Sequence, residues 1–167
     1  MRIGRVGAGW LVLVLIAACS SGAAPATRSP ATAAPTVAAV HLYDPNANAR
    51  ADIDAALAAA KVDGRRVLID FGADWCPDCH SLAAYMDGPA GRALVEPAFH
   101  VVRVDVGTFD RNLDIAQRYF QMEGIPTVVV LEASGGIVGV STGTSSLANA
   151  RTMTEKQVLD ELAAWAK

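Results

Sequence analysis

The sequence predicts an α/β fold in which one central sheet is covered by helices on both faces. Short, nearly continuous apolar runs are typical of strands buried on both faces, and segments with helical periodicity separate most of them. The chain has 167 residues, 52% of them hydrophobic, which is enough for one well-buried core but not for two domains. The predicted order of elements is α-β-α-β-α-β-β-α.

The first 18 residues predict an export signal. Two arginines precede an apolar run over 6–18 that is too short to span a bilayer comfortably, as in a secretory signal peptide. Small residues directly precede Cys19, which resembles the processing site of bacterial lipoproteins, where the cysteine is lipidated and becomes the first mature residue. An ordinary signal peptide cleaved near 23–24 is the alternative. We therefore expect an exported domain, lipid-anchored at Cys19 to the extracytoplasmic face of the bacterial cell membrane.

Residues 19–39 predict a flexible tether that begins with the lipidated cysteine. The segment consists mainly of Ala, Pro, Ser and Thr, with one charge and no aromatic residue, so it cannot bury enough apolar surface to fold. The folded domain is therefore predicted to cover 40–167. The formal net charge of −3 gives no sign of a basic face, which argues against nucleic-acid binding.

The first elements of the domain lead to a cysteine motif. Apolar residues at helical spacing predict a helix over 48–61, and a buried strand over 67–71 follows. Cys76 then lies at a strand-to-helix turn. Pro77 suits the first turn of the next helix, which we expect to continue through about Met86, before a glycine and a proline interrupt it.

The second half of the domain predicts three strands and two helices. A β-branched run predicts a strand over 99–106, and a helix then ends near Gly124. Strands over 127–131 and 137–140 are close enough to form a hairpin. Residues 142–153 have no clear periodicity and predict a surface loop.

Thr154 and Gln157 form a capping-box pattern in front of the last predicted helix. The apolar residues of that helix, Val158, Leu162 and Trp165, share one face.

Cys76 and Cys79 carry the candidate chemistry. The N-terminus of a helix stabilises a thiolate, so Cys76 is the expected nucleophile and Cys79 the resolving thiol that breaks the mixed disulfide. This spacing also serves zinc, but a zinc ribbon needs a second Cys or His pair, and the three histidines of the chain are isolated. The pattern favours redox use over a metal site or an inert structural disulfide. No metal and no dissociable cofactor are expected.

Two motifs together resemble the thioredoxin-like superfamily. Residues 67–79, which end in WCPDC, are similar to the active-site strand and turn of thioredoxins, and residues 124–127, GIPT, are similar to their cis-proline loop. The resemblance covers roughly 48–167 and implies a thioredoxin-like fold with a central mixed sheet. The stretches 105–112 and 147–153 resemble elements of a bacterial thioredoxin-like subfamily of exported proteins, without a mechanistic role for any single residue.

The resemblance also implies roles for individual residues. Asp70 falls where thioredoxins keep a buried acid that exchanges a proton with the resolving cysteine, although a strand Asp satisfied by backbone groups is the alternative. Trp75 would shield the thiolate and shape the docking surface. Pro126 would be cis and bring the backbone of Ile125 beside the disulfide, where it pairs with an extended substrate.

Four positions depart from the thioredoxin pattern or adjoin the motif. Arg103 stands where many thioredoxins have lysine; it could lower the pKa of Asp70 but could not exchange protons, or it is simply a solvated charge. Pro77 and Asp78 replace the usual Gly-Pro and are counted among the substrate-binding residues. The charge of Asp78 opposes thiolate formation, which favours a reducing or isomerising role over oxidation. His80 is either a tuning residue or a surface histidine.

The sequence therefore predicts an extracytoplasmic thiol–disulfide oxidoreductase. Its substrates would be disulfides and thiols of proteins, and a membrane-embedded thiol reductase would supply electrons. The alternative is a copper-binding lipoprotein in which Cys76, Cys79 and a histidine such as His80 hold Cu(I), since soft thiolates favour that ion. Copper-delivering thioredoxin folds generally have wider cysteine spacing, which counts against it. A third possibility is a scaffold for partner docking that does not need its cysteines.

Overall fold

The computed structural model describes residues 41–141 and 146–167. The predicted signal peptide, the lipidation site at Cys19 and the tether lie outside the described residues. No helix among the described residues has the length and apolar character needed to cross a membrane.

A four-stranded mixed sheet forms the centre of the domain. Its strands are β1 (Arg66–Gly72), β2 (Phe99–Asp105), β3 (Thr127–Leu131) and β4 (Ile137–Ser141), in the spatial order β2-β1-β3-β4. β1 pairs parallel with β2 and antiparallel with β3, which in turn pairs antiparallel with β4. The predicted mixed sheet and its C-terminal hairpin are confirmed.

In the described part of the chain, five α-helices flank the sheet: α1 (Ala49–Asp63), α2 (Pro77–Asp87), α3 (Pro89–Ala98), α4 (Leu113–Ala116) and α5 (Glu155–Ala164). Side chains of α1 and α4 form one buried cluster with Ile69 and Phe71 of β1, whereas side chains of α2, α3 and α5 form another with Leu68. Because neighbouring strand residues point to opposite faces, β1 is covered on both sides. Asp70 has the same parity as Leu68 and therefore points to the α2 side.

The helix α3 was not predicted. The sequence Gly88-Pro89 indicated an interruption, and the chain does leave helical geometry at Gly88, which is extended with φ −68° and ψ 166°. Pro89 then begins a new helix, because the fixed φ of proline suits a first helical turn and its missing N–H costs nothing there. Pro89 therefore both follows the end of α2 and begins α3, and the sequence pattern indicated only the first of these roles.

The helix predicted to end near Gly124 is much shorter than expected. α4 has only four residues, and turns follow it. The prediction of a surface loop over 142–153 is wrong for its larger part, because Ser146–Thr152 form a 3-10 helix. Leu147 and Ala150 of that helix are fully buried. The segment is kinked at Asn149, with φ −116° and ψ 31°, so it presents no regular helical period along the sequence.

The capping box of α5 is confirmed. The Thr154 hydroxyl accepts from the Gln157 backbone N–H at 3.3 Å, and Oε1 of Gln157 accepts from the Thr154 backbone N–H at 2.8 Å. Val158 and Leu162 are fully buried, as their shared face predicts, and Trp165 caps the end of the helix.

Candidate active site

The cysteine motif lies at the carboxyl end of β1, where the chain turns into α2. Cys76 is the N-cap of α2, and its Sγ accepts a hydrogen bond from the backbone N–H of Cys79 at 3.1 Å. Pro77 is the first residue of the helix, and Asp78 places a negative charge in its first turn. Both residue types favour a helix start here, by fixing φ and by complementing the helix dipole.

Cys76 and Cys79 form a disulfide, with their Cα atoms 5.3 Å apart. Cys79 is completely buried, whereas Cys76 keeps 3% of its surface exposed. The small opening at Cys76 makes it the cysteine that a thiol or disulfide from outside reaches first.

The loop before β3 closes over the disulfide. The Ile125–Pro126 peptide bond is cis. The carbonyl oxygen of Ile125 lies 3.8 Å from Cys76 Sγ. The Ile125 side chain packs against the buried cluster that contains Cys76 and Cys79. The hydroxyl of Thr127 donates to the Gly124 carbonyl at 2.8 Å and holds the loop together. The backbone of Ile125 therefore lies directly beside the reactive pair.

Asp70 is completely buried in β1. Its Oδ2 accepts a hydrogen bond from the Tyr43 hydroxyl at 2.8 Å, while Oδ1 has no hydrogen-bond partner among the described residues. Burial raises the pKa of Asp70 to about 6, although the Tyr43 hydrogen bond and the charge of Arg103 oppose the rise. The alternative of a strand Asp satisfied by backbone groups does not fit this environment. A carboxyl group with such a pKa can both take and release a proton near neutral pH.

Arg103 lies between two carboxylates. Its Nε is 3.9 Å from Oδ2 of Asp70, and its Nη2 donates to both carboxylate oxygens of Asp87 at 2.9 and 3.0 Å. The side chain is 24% exposed, and its Nε has no hydrogen-bond partner among the described residues. Arg103 therefore lies near the buried acid, as the resemblance implied, while its hydrogen bonds go to the last residue of α2.

An aromatic pair forms the exposed rim of the site. Trp75 is 54% exposed, and its indole N–H donates to the Gly107 carbonyl at 2.7 Å. Its ring meets Phe109 edge-on, with the centroids 6.1 Å apart. Phe109 was not singled out from the sequence. It lies in the loop after β2 with a φ of 64°, an uncommon conformation for a bulky residue, and it is 42% exposed.

Asp78 and His80 make contacts away from the disulfide. Asp78 Oδ1 accepts from the Arg151 backbone N–H at 3.1 Å, and its Oδ2 is 3.5 Å from Arg151 Nε. His80 Nε2 lies 2.6 Å from the carbonyl oxygen of Asp74. Within 41–141 and 146–167, no group of three or more His, Cys, Asp or Glu residues is arranged to hold a metal ion.

Sequence reasoning missed Tyr43. Residues 41–43, here called the N-terminal strap, precede α1 and lie against the site. Tyr43 is 1% exposed and forms a buried cluster with Cys76 and Cys79. A Cβ at Gly72 would collide with the Tyr43 ring, so glycine is required there. The one available signal was that Tyr43 is the first aromatic residue after Trp10.

Comparisons with known proteins agree with this architecture. A family model described as thioredoxin-like matches residues 48–133. The solved disulphide isomerase of Xylella fastidiosa Temecula1 is 38% identical, with a TM-score of 0.73 over 78% of this chain and 100% of that one. The oxidised C-terminal domain of Neisseria meningitidis DsbD, 23% identical, shares the fold with a TM-score of 0.53 over 71% of this chain and 97% of that one.

A longer relative is similar over most of this chain. The thiol:disulfide interchange protein DsbD 2 of Pseudomonas aeruginosa is 30% identical over 128 residues, which are 75% of this chain and 20% of the relative. The chain spans between 14% and 57% of the length of the curated relatives it matches.

Proposed function

The chain belongs to the thioredoxin-like family, and from that premise we propose that it reduces or isomerises protein disulfides outside the cytoplasm. Its enzyme class is that of the protein-disulfide oxidoreductases. The observation that carries the proposal is the Cys76–Cys79 disulfide at the start of α2, with the Ile125 carbonyl beside it and the buried Asp70 beneath the same helix.

The proposed reaction starts from the reduced cysteine pair. The Cys76 thiolate attacks one sulfur of a substrate disulfide, forms a mixed disulfide with it and releases the other substrate sulfur as a thiolate. Cys79 then loses its proton to Asp70 and attacks Cys76 Sγ. The Cys76–Cys79 disulfide forms, and the second substrate thiolate leaves. Two electrons thus pass from the enzyme to the substrate, and no dissociable cofactor takes part.

The rim of the site suits an extended protein substrate. The Ile125 backbone lies next to Cys76, where it can pair with a substrate strand through main-chain hydrogen bonds. Trp75, directly before Cys76, offers an exposed apolar face, and Pro77 and Asp78 form the first turn of α2. These residues are the proposed substrate contacts.

The reductive direction follows from the charge of Asp78. A carboxylate in the first turn of α2 disfavours the Cys76 thiolate and hence the reduced form, which lowers the reduction potential. Arg151 balances part of that charge, so the effect is smaller than for an unpaired carboxylate.

The proposed setting is the outer face of the cell membrane, with a lipid at Cys19 as anchor. A membrane-embedded thiol reductase is the proposed electron donor. The similarity to a thiol:disulfide interchange protein supports a partner of this kind. The match covers only 20% of that relative. Labelling cells with a radioactive fatty acid tests the anchor: the full chain should carry label and Cys19→Ser should not. Label on neither variant would refute the lipid anchor.

The reduction potential of the cysteine pair tests the function. Equilibration with glutathione or dithiothreitol buffers should give a value near or below about −230 mV, and a value near −120 mV would indicate an oxidase instead. In a separate assay of insulin reduction, Cys76→Ser should abolish activity, and Cys79→Ser should accumulate a mixed disulfide. Wild-type protein that binds Cu(I) tightly but does not cycle would favour the copper-binding alternative.

A further inference from the structure

We propose that Tyr43 is a positioning residue of the redox site, whose hydroxyl keeps the Asp70 carboxylate oriented and ready to accept the proton of Cys79. The inference rests on the proposed function and adds to the site a residue that precedes the region matching the family, 48–133.

Tyr43 binds the buried acid and packs in the cluster of the cysteine pair. Its hydroxyl donates to Asp70 Oδ2 at 2.8 Å, and its side chain belongs to the same buried cluster as Cys76 and Cys79. A single side chain therefore connects the buried acid with the cysteine pair.

The strap is fastened to the turn that leads into Cys76. Asp74 Oδ1 accepts from the Tyr43 backbone N–H at 2.9 Å, and Asp74 Oδ2 pairs with Nδ1 of His41 at 2.5 Å. Gly72 leaves the space that the Tyr43 ring occupies. These attachments all lie within three residues of the chain, immediately before the active-site motif. They fix the Tyr43 hydroxyl in a strap that belongs to no helix or strand.

The surroundings of Asp70 make the Tyr43 hydroxyl its hydrogen-bond donor. Arg103 of β2 and Asp87 of α2 are the charged groups whose fields reach Asp70, with Cys79 on the same helix and Tyr43 on the strap. Among the described residues, Tyr43 supplies the one hydrogen bond to the carboxyl group. Burial raises the pKa of Tyr43 well above its ordinary value, so the phenol stays protonated and acts as a donor.

Removing that hydroxyl should make Asp70 a poorer proton acceptor at low pH. Without the donor the carboxylate is less stable, so the pKa of Asp70 rises further and less of the group is ionised at a given pH. The step in which Cys79 gives up its proton then slows at acidic pH and recovers at alkaline pH. The earlier attack by Cys76 does not depend on Asp70.

A coloured aromatic disulfide separates the two steps. Its two thiolates are released in turn, the first by attack of Cys76 and the second by attack of Cys79, and both are followed by absorbance. The full reduced chain is assayed between about pH 5 and 9. Tyr43→Phe should shift the pH profile of the second release upward by about one unit, so that it is about tenfold slower at about pH 5.5 and within twofold of wild type at about pH 8.5.

Matched variants make the result specific. Tyr85→Phe also removes a tyrosine hydroxyl from a hydrogen bond, here a partly buried one to the Met153 carbonyl at 2.9 Å, and its profile should overlay that of wild type. In an Asp70→Asn background, Tyr43→Phe should add less than about twofold. Replacing Tyr43 by 3-fluorotyrosine keeps the ring and strengthens the donor, so it should shift the profile in the opposite direction.

Two outcomes overturn the inference. One is a Tyr43→Phe or 3-fluorotyrosine profile that overlays wild type, and the other is a shift that persists unchanged when Asp70 is absent. Failure of the proposed function looks different, because the wild-type chain would then either show no second release at any pH or have the reduction potential of an oxidase.

Discussion

Asp70 holds a carboxyl group in surroundings that penalise its charge. Its pKa in the folded protein, about 6, exceeds the ordinary value of 3.8, with burial as the main cause. Between these two values the folded state binds more protons than the unfolded state, so the free energy of unfolding falls as the pH rises through this interval. The full penalty, about 3 kcal/mol from a shift of about two units, is present above pH 6 and absent below pH 4.

Asp70→Asn should therefore stabilise the oxidised protein at neutral pH while impairing its proton transfer. We expect its free energy of unfolding at about pH 7.5 to exceed that of wild type by about 1–3 kcal/mol, and the difference to shrink by about pH 4.5. Urea unfolding at both pH values measures this. Asp114→Asn is the control, because that side chain is 71% exposed. A difference that does not change with pH would show that Asp70 does not carry the penalty.

Single residues could be assigned from the sequence where a local motif carried them. Cys76 and Cys79 follow from their spacing at a helix start, and Asp70 from its position six residues before Cys76 in the segment that resembles thioredoxins. Tyr43 could not be assigned this way. Its partner lies 27 positions away along the chain, and one tyrosine after a polar stretch has no pattern around it. Only the folding of the strap onto β1 gives it a role.

At the scale of elements, the 3-10 helix Ser146–Thr152 supports the active-site helix. Leu147 and Ala150 belong to the buried cluster that includes Leu82 of α2, and Arg151 holds Asp78. A segment expected to be a surface loop thus contacts the active-site helix α2. Its helical geometry breaks at Asn149, so no regular α-helical or strand period marks the segment in the sequence.

Arg151→Ala should make the enzyme slightly more reducing. The guanidinium lies 3.5 Å from Asp78 Oδ2, so its loss leaves more of the Asp78 charge acting on the Cys76 thiolate. The reduced form becomes less stable, and the reduction potential should fall by up to about 20 mV, since exposed ion pairs contribute about 1 kcal/mol or less. Equilibration with glutathione measures the shift.

Lys156→Ala provides the matched control for Arg151. It also removes an exposed cation from an ion pair with an aspartate, Asp160, but on α5. Its potential should equal that of wild type. A rise in potential on removing Arg151 would contradict the assigned role of the Asp78 charge.

At the scale of the whole molecule, the layered architecture was predictable but the strand order was not. Apolar runs over 67–71 and 127–131 indicated strands buried on both faces, and both are. Nothing local in these runs states that β1 lies between β2 and β3. That order arises because two clusters, one on each face of the sheet, must both be buried at once.

The strap should contribute substantially to the stability of the whole domain. A chain of residues 48–167 keeps every strand and helix of the described residues, the N-cap Asn48 of α1 and the entire family match, but it loses the burial of Tyr43. We expect its free energy of unfolding to be lower than that of 41–167 by about 3–5 kcal/mol, as for loss of a large buried aromatic side chain. Urea unfolding of the two oxidised chains measures the difference.

Tyr43→Ala in the longer chain separates the ring from the rest of the strap. If the ring is the stabilising group, this variant should reproduce most of the loss. Equal free energies of unfolding for 48–167 and 41–167 would mean that the strap packs on the domain without stabilising it.

The position of the strap also limits how far the cysteine pair can lie from the membrane. The strap leads directly from the predicted tether to the cysteine pair, so the segment that would bind the enzyme to the membrane enters the domain at its reactive end. With Cys19 as the proposed anchor, the chain from there to His41 spans at most about 75 Å when fully extended. Every disulfide that the enzyme meets, in a client or in its electron donor, would then have to come within that distance of the lipid surface.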